Sequence, residues 1–302
     1  MASQDDNLAL FNALKKRPPI AWPTVILMLA CHTVIFSSWA LVLTDRIPLW
    51  AGCLANTLAM YFLFSPIHDA IHHSMSTNDR LNEFFMRLIL LPIVPGSNGQ
   101  MLRVGHMMHH RFANDPKRDP DHFTMTAPLK PLWIWFFWDF HYLVFYLRNK
   151  DQFAGTNVGT PLRDTIMVWA MAIGIGWFFP MEILLLWFIP SRMMAWLIAL
   201  VFMYLPHYPH DVLHKDAPYQ ATHMRNGLDW LLTPLMGWQN YHLVHHLYPT
   251  VPFYRYRRLW NARKQFHESQ QPSIVQALAR TPERLRDGGG QPQPEQQARR
   301  TP

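Results

Sequence analysis

Two long stretches near the start of the chain, residues 18–44 and 47–67, contain no Asp, Glu, Lys or Arg. Each is long enough for a helix to cross a bilayer, which takes roughly 20 apolar residues. A cleavable signal peptide is the alternative for the first stretch, but that stretch begins well inside the chain and no clear cleavage site precedes the second. We therefore predict two membrane spans, at about 20–44 and 48–67, that form a hairpin.

The composition agrees with a membrane protein. Of the 302 residues, 50% are hydrophobic and only 16% are charged, whereas ordinary soluble domains have roughly 25% charged residues. The mean hydropathy is close to zero because polar residues are concentrated at the two ends and in the middle of the chain. The net charge of +7 accompanies no nucleic-acid-binding motif, so basic cytoplasmic loops explain it better and no nucleic-acid partner is expected.

Basic residues orient the hairpin. Lys15, Lys16 and Arg17 directly precede the first span, whereas the loop between the spans offers only Asp45 and Arg46. Because cytoplasmic flanks are enriched in Lys and Arg, the segment 1–17 is predicted to be cytoplasmic.

A further apolar region, residues 165–206, is long enough for two crossings, with the turn near 180–182 or near 190–192. Residues 84–95 are too short to span, and residues 131–148 are rich in aromatic side chains, so both are predicted to be interfacial. The predicted membrane domain covers residues 18–287, and residues 288–302 have the composition of a disordered tail. This topology places both termini and every histidine cluster on the cytoplasmic side.

Most of the 17 histidines are grouped. The three groups are His68, His72 and His73 in "HDAIHH"; His106, His109 and His110 in "HMMHH"; and His242, His245 and His246 in "HLVHH". Spacings of three and four residues place imidazoles on one helix face, roughly 5–6 Å apart at Cβ. Consecutive histidines diverge by about 100° on a helix, so one helix can address two neighbouring metal ions.

A single pair at this spacing is more often a surface or core feature than a metal site, but three groups on one membrane face favour a site. Imidazole ligands suit Zn, Cu, Fe and Ni, so the residue type alone does not name the metal. The chain has no His-Glu-x-x-His motif, no Glu-x-x-His pair and no Gly-x-Ser-x-Gly elbow. The remaining interpretation is a histidine-dominated redox site.

The three groups, in this order, resemble the histidine boxes of the integral-membrane fatty acid desaturase/hydroxylase superfamily. The flanking segments "NDPKRDPDHF" and "NYHLVHHLYPTVPFYRY" strengthen the resemblance, which covers about residues 20–265. It implies an all-α membrane protein with four transmembrane helices in two hairpins and a cytoplasmic His-rich helical cap. It also implies two iron ions and O2 as a co-substrate, with an alkene or an alcohol as the product.

The resemblance carries ligand roles onto eight histidines of the boxes: His68, His72, His106, His109, His110, His242, His245 and His246. A ninth ligand is expected in "YLPHYPHDVLH", where His207 is the first choice, His210 and His214 are reserves, and His223 stays open. His73 is expected to point elsewhere or to support the site.

Polar neighbours of the boxes are candidates to orient the imidazoles by hydrogen bonds: Asp69, Asp115, Asp119, Asp121, Asp211 and Asn240. Structural roles are expected for His32, His122, His141 and His267. No catalytic side chain beyond the metal ligands is predicted.

The predicted function is O2-dependent oxidation of unactivated C–H bonds in a long-chain lipid, first of all a fatty acyl chain. The alternative within the superfamily is a carotenoid hydroxylase or ketolase, and the remote alternative is a membrane metal transporter. An external electron donor is implied, of the ferredoxin, rubredoxin or cytochrome b5-like type. Arg255, Arg257 and Arg258 would help to dock an acidic donor.

Overall fold

The computed structural model describes residues 4–125, 132–149 and 159–283, and these residues are mostly helical. The predicted tail, 288–302, lies outside them. The helices are α1 (Gln4–Lys15), α2 (Trp22–Leu43), α3 (Leu49–Ile71), α4 (Asp79–Leu90), α5 (Gln100–Phe112), α6 (Trp138–Arg148), α7 (Gly159–Gly176), α8 (Pro180–Tyr204), α9 (Asp229–Leu235), α10 (His242–Leu247), α11 (Tyr256–Ala262) and α12 (Lys264–Ser269). The all-helical prediction needs one small correction, since β1 (Met224–Asn226) pairs in parallel with β2 (Ile274–Gln276).

Three of the described helices are long and apolar enough to cross a membrane: α2, α3 and α8. α2 and α3 pack as a hairpin, and α8 packs against α3. One polar side chain joins all three helices in their apolar surroundings, because Asn56 accepts a hydrogen bond from Ser38 and donates one to the Leu186 carbonyl at 2.7 Å. This contact satisfies amide groups that would be costly to bury alone.

The region predicted to cross twice, residues 165–206, folds as α7, a turn at residues 177–179, and α8. A turn at 190–192 is therefore wrong, because these residues lie in the middle of α8. α8 contains two π-helical turns, Leu184–Phe188 and Ala199–Tyr204. Pro190 is the second residue after the first, and Ile189 N bonds to the Leu184 carbonyl, so the wider turn accommodates the missing proline N–H.

The core has two parts. One lies among α2, α3, α4 and α8, and the other lies among α1, α10 and α11. In the second, Phe11 and Leu14 of the N-terminal helix pack with Tyr256, and Arg255 donates hydrogen bonds to the carbonyls of Leu14 and Lys16. The histidine clusters lie between the two parts, where the ends of α3, α5, α8 and α10 meet.

Candidate metal centre

Four short segments bring the clustered histidines together. α3 carries the first box at its C-terminus, α5 carries the second in its last two turns, and α10 is a short helix made almost wholly of the third. His207 follows the last residues of α8. Gly105 lets α5 approach α6, because a Cβ at this position would overlap the Tyr142 ring. Local helical spacing thus sets each box, and packing of the helix ends makes them converge.

Five histidines form one group, which we call the five-histidine group: His68, His72, His106, His110 and His245. One ring nitrogen from each histidine lies within 4.8 Å of the corresponding nitrogens of the other four. Nε2 of His110 lies 2.7 Å from Nε2 of His245 and 3.1 Å from Nε2 of His106. Neighbouring ligands of one ion, each bound at roughly 2.0–2.1 Å, have nitrogens about 3 Å apart, so this spacing suits a single metal ion.

Four histidines form the second group, the four-histidine group: His109, His207, His242 and His246. Nε2 of His242 lies 2.9 Å from Nε2 of His207 and 3.0 Å from that of His246. His109 reaches the group through a 3.2 Å separation from His246. The two groups together contain all nine histidines that the sequence singled out as ligands, although their binding of metal stays a prediction.

Unpaired ring nitrogens support metal binding. Both ring nitrogens of His68 and Nε2 of His72 are buried, and none of them has a hydrogen-bond partner among the described residues. Such atoms are costly to bury without a partner, and a metal ion in the cluster would provide one. The imidazole donor set fits iron.

Seven of the clustered histidines are held in the neutral form that binds metal. Burial, with the charge of neighbouring histidines, lowers the pKa well below its ordinary value for these seven: His72, His106, His110, His207, His242, His245 and His246. Metal binding at these seven would therefore displace few protons at neutral pH.

His109 differs from the others because two carboxylates face it. Its Nδ1 lies 2.9 Å from Asp119 Oδ1 and 3.4 Å from Asp121 Oδ2. Burial alone would lower the pKa of His109, but these carboxylates raise it to about 9. Backbone amides of Asn114 and Asp121 donate to Asp119, and Tyr142 donates to Asp121, so the carboxylates are held in place. They hold the proton on Nδ1 and orient Nε2 towards the four-histidine group, where binding of a metal ion would have to displace the second ring proton.

Two further side chains orient clustered histidines, and sequence reasoning missed both. Gln239 Oε1 lies 2.5 Å from Nδ1 of His242, and the Tyr256 hydroxyl lies 3.0 Å from Nδ1 of His245. Gln239 precedes His242 by three residues, so the helical spacing could have identified it. Tyr256 lies on another helix and left no local signal.

The other histidines that were considered as ligands or supports lie outside both groups. His73 has a positive φ of 54° and turns outward to Asp79, 3.1 Å away, and Glu83. His210 is buried with its ring centroid 5.4 Å from that of His207. The His214 ring is 5.8 Å from the His246 ring, and Nε2 of His223 bonds to the Tyr208 carbonyl at 2.5 Å.

Of the polar neighbours named from the sequence, Asp119 and Asp121 contact a clustered histidine. Asp69 instead accepts hydrogen bonds from Thr24 and from the Phe253 amide, and Asp115 pairs with Arg118. Asn240 donates to Thr233 at 3.0 Å, and Asp211 is exposed. The carboxylates that reach His109 follow α5 in the chain, whereas Asp69 joins α2 to the segment after α10.

The four remaining histidines lie away from the groups as well. His32 bonds to the carbonyls of Met28 and Leu88, and His141 bonds to that of Pro120. His267 hydrogen-bonds to Tyr219 and stacks on Trp260, and His122 is half-buried beside His210. These contacts agree with structural roles.

An apolar cavity lies among α3 to α8. A smaller one adjoins it and is lined by His68, His106, His109 and His242, from both histidine groups. Both cavities are lined by Phe64, Leu102 and Trp138. A long apolar molecule in the larger cavity could therefore reach the histidines.

Comparison with known proteins gives a consistent result. The fatty acid desaturase family model matches residues 45–277. A beta-carotene ketolase of Paracoccus sp. (strain N81106 / MBIC 01143) is 27% identical over 206 residues, which cover 68% of this chain and 76% of that protein. A second beta-carotene ketolase, of Paracoccus sp. (strain PC1), is 27% identical over 236 residues, covering 76% of this chain and 88% of the relative. No solved structure matches significantly.

The family match spans most of the chain and includes all nine clustered histidines. The three apolar helices and the match together identify a membrane protein, and the relatives identify an oxidoreductase. The chain belongs to the fatty acid desaturase family.

Proposed function

We propose that this protein is an O2-dependent di-iron enzyme that oxidises C–H bonds of a long apolar lipid in the membrane. The observation that carries the proposal is the division of nine buried or half-buried histidines into two adjacent groups of ligand-like spacing. Apolar substrate space directly beside these groups supports it.

The five-histidine group would hold one iron ion and the four-histidine group the other. Two bound irons would supply the redox chemistry that activates O2 and removes hydrogen from an unactivated C–H bond. The protein's part is to fix the ligands: Asp119 orients His109, Gln239 orients His242 and Tyr256 orients His245. Phe64, Leu102 and Trp138 place apolar walls beside the metals, and such walls exclude water from the reacting end of the substrate.

The substrate is proposed to be a carotenoid-like lipid, with a fatty acyl chain as the second candidate. The two relatives are beta-carotene ketolases, which supports the first candidate, and the family model supports the second. The mainly apolar lining of the larger cavity suits either, because both molecules are apolar.

The fourth crossing is proposed to be α7, which has 18 residues. The short turn at residues 177–179 connects it to α8. With Lys15, Lys16 and Arg17 on the cytoplasmic side, an even number of crossings places both termini and the metal centre in the cytoplasm. Labelling of single cysteines placed at Asp45 and at Arg257 with a membrane-impermeant reagent tests this. The cysteine that replaces Asp45 should react from outside the cell, and the one that replaces Arg257 should react only after lysis. The reverse pattern would contradict the orientation.

An external, acidic one-electron donor of the ferredoxin, rubredoxin or cytochrome b5-like class is proposed to dock on the basic face formed by α11 and its neighbours. Arg257 and Arg258 are exposed there, and Arg255 ties α11 to the N-terminal helix. α11 also carries Tyr256, which contacts the ligand His245. A donor docked there would lie near the five-histidine group.

The decisive experiment is expression in cells that make carotenes and in cells that do not, followed by mass spectrometry of all lipids and pigments. We expect oxygenated carotenoids in the first strain, and none from a His242→Ala variant. Oxidised or unsaturated acyl chains in both strains would instead favour the fatty acyl substrate. About two tightly retained irons per chain are expected, whereas exchangeable zinc with no product would favour metal transport.

A further inference from the structure

The large apolar cavity has an ion pair in its wall. Asp139 of α6 and Arg192 of α8 both line it. The pair is bidentate, with Arg192 Nη1 2.9 Å from Asp139 Oδ1 and Nη2 3.0 Å from Oδ2. The Arg192 side chain is only 14% exposed. Since the rest of the described lining is mainly apolar, this pair is a pronounced polar feature for a lipid in the cavity.

The position of Arg192 makes the pair unusual. It is the central residue of α8, twelve residues from Pro180 and twelve from Tyr204, and thus about 18 Å from each end of the helix. Charged side chains at such depth are costly, and they usually mark a substrate path or a functional site. Apolar side chains could hold the two helices together at a lower free-energy cost than a buried ion pair.

The hydrogen bonds of the pair leave one donor free beside carboxylate acceptors. A guanidinium has five N–H groups. Arg192 directs one to Ser191, two from Nη1 to the Phe136 carbonyl and Asp139, and one from Nη2 to Asp139. The remaining Nη2 hydrogen has no acceptor among the described residues. Both Asp139 oxygens keep spare lone pairs, so the pair can donate to and accept from one ligand group.

A neutral hydroxyl matches this arrangement best. It accepts from the free N–H and donates to the carboxylate, whereas a carboxylate group would be repelled by Asp139 and a hydrocarbon end would leave the N–H unpaired. The pair lines the larger cavity only, while Trp138 beside it also lines the smaller cavity that contains the histidines. Arg192 also lies about 18 Å along α8 from Tyr204, the end of the helix that leads to His207, so the hydroxyl would lie at the end of the lipid remote from the histidine groups.

We propose that Asp139 and Arg192 bind the hydroxyl of a lipid alcohol whose opposite end reaches the histidine groups, so that the enzyme prefers substrates already hydroxylated at one end. The inference rests on the proposed function, because it takes the larger cavity as the substrate site. The reaction that supplies the substrate would then be a hydroxylation of the opposite end.

The test compares two ligands that differ by one hydroxyl, retinol and its hydrocarbon analogue with a methyl in place of the alcohol group. Trp138, Trp169 and Trp187 line the cavity, so energy transfer from tryptophan to the polyene reports binding. The full-length, iron-loaded protein is measured in nanodiscs without an electron donor, and each signal is corrected with empty nanodiscs. Retinol should bind roughly tenfold more tightly, the effect of about one hydrogen bond to a charged group.

The variant is the double replacement Asp139→Leu with Arg192→Met, which removes both charges together. It should bind the two ligands equally, while the control Asp164→Asn, at another carboxylate of the same cavity, should keep the preference. Equal binding by the wild-type protein, or an unchanged preference in the double variant, would overturn the proposal. If the double variant does not fold, the wild-type comparison still decides.

Product analysis with an electron donor separates the two proposals. A preference for retinol without any oxidised lipid would support the hydroxyl site and contradict the proposed oxidation. Oxidised product together with equal ligand binding would contradict the hydroxyl site alone.

Discussion

The two histidine groups have the same kind of ligand but different surroundings. In the four-histidine group, His109 is backed by two carboxylates and His242 by an amide oxygen. In the five-histidine group, the ligand with an identified outer partner is His245, which meets the neutral hydroxyl of Tyr256. A carboxylate makes an imidazole a stronger donor, so the group with fewer ligands receives more negative charge. In the proposed di-iron centre, the number of histidines and the charge behind them would thus compensate, and the two irons should respond differently to the same kind of substitution.

The largest effect is expected from loss of a ligand. His207→Ala should reduce tightly bound iron from about two per chain to about one and abolish product formation, because the four-histidine group would keep only three imidazoles. Iron is measured by elemental analysis after gel filtration, and product by mass spectrometry.

His210→Ala is the matched control, since His210 is similarly buried three residues later but lies outside both groups. It should retain both irons and activity. Two irons retained in His207→Ala would remove His207 from the ligand set.

A smaller effect, confined to the four-histidine group, is expected from Asp119→Asn. The amide keeps the shape but removes the negative charge behind His109, so iron affinity at the four-histidine group should fall roughly 10- to 100-fold. Titration with a competing chelator should show one weakened and one unchanged iron. Asp115→Asn, which affects an ion pair with Arg118, should leave both unchanged. Equal weakening of the two irons by Asp119→Asn would refute the compensation described above.

Tyr256→Phe should affect the other group, and more weakly. It removes one neutral hydrogen bond to His245, worth about 1 kcal/mol, or roughly a fivefold change in affinity. The same chelator titration should assign this change to the five-histidine group. The neighbouring Tyr254→Phe serves as the control; a loss confined to the iron that Asp119→Asn weakens would contradict the assignment.

The smallest effect concerns electron supply. Arg257→Glu on the basic face should slow reduction by an acidic donor severalfold at low ionic strength and have little effect at high salt, where charges are screened. Arg163→Glu on α7 is the control on a distant helix. Stopped-flow reduction that does not depend on salt in the wild-type protein would exclude charge-guided docking.

Local spacing made the clustering of the histidines predictable. His106, His109 and His110 lie at i, i+3 and i+4, which any α-helix places together, and the resemblance added His207 beside them. The span limits were predictable for α2 and α3 because charge-free stretches of that length have few other solutions in a membrane protein.

Contacts between distant segments were not predictable. Asp69 is adjacent to the first box, yet its carboxylate bonds to Thr24 and the Phe253 amide, because the side chain leaves α3 on the side away from the metal groups. Tyr256 and the Asp139–Arg192 pair depend on how α6, α8 and α11 pack. Such packing follows from the whole fold and not from a repeat in the sequence.

The π-helical turn at Ala199–Tyr204 determines how the residues that follow it are rotated about the axis of α8. Leu205 N bonds to the carbonyl of Leu200, five residues earlier, so this turn holds one residue more than an α-helical turn would. Each residue rotates an α-helix by about 100°. If the same residues wound as a regular α-helix, with none removed, His207 would turn by about that angle, away from His242. A change of helix type in one turn, with every histidine retained, would then disable the four-histidine group as effectively as the loss of a ligand.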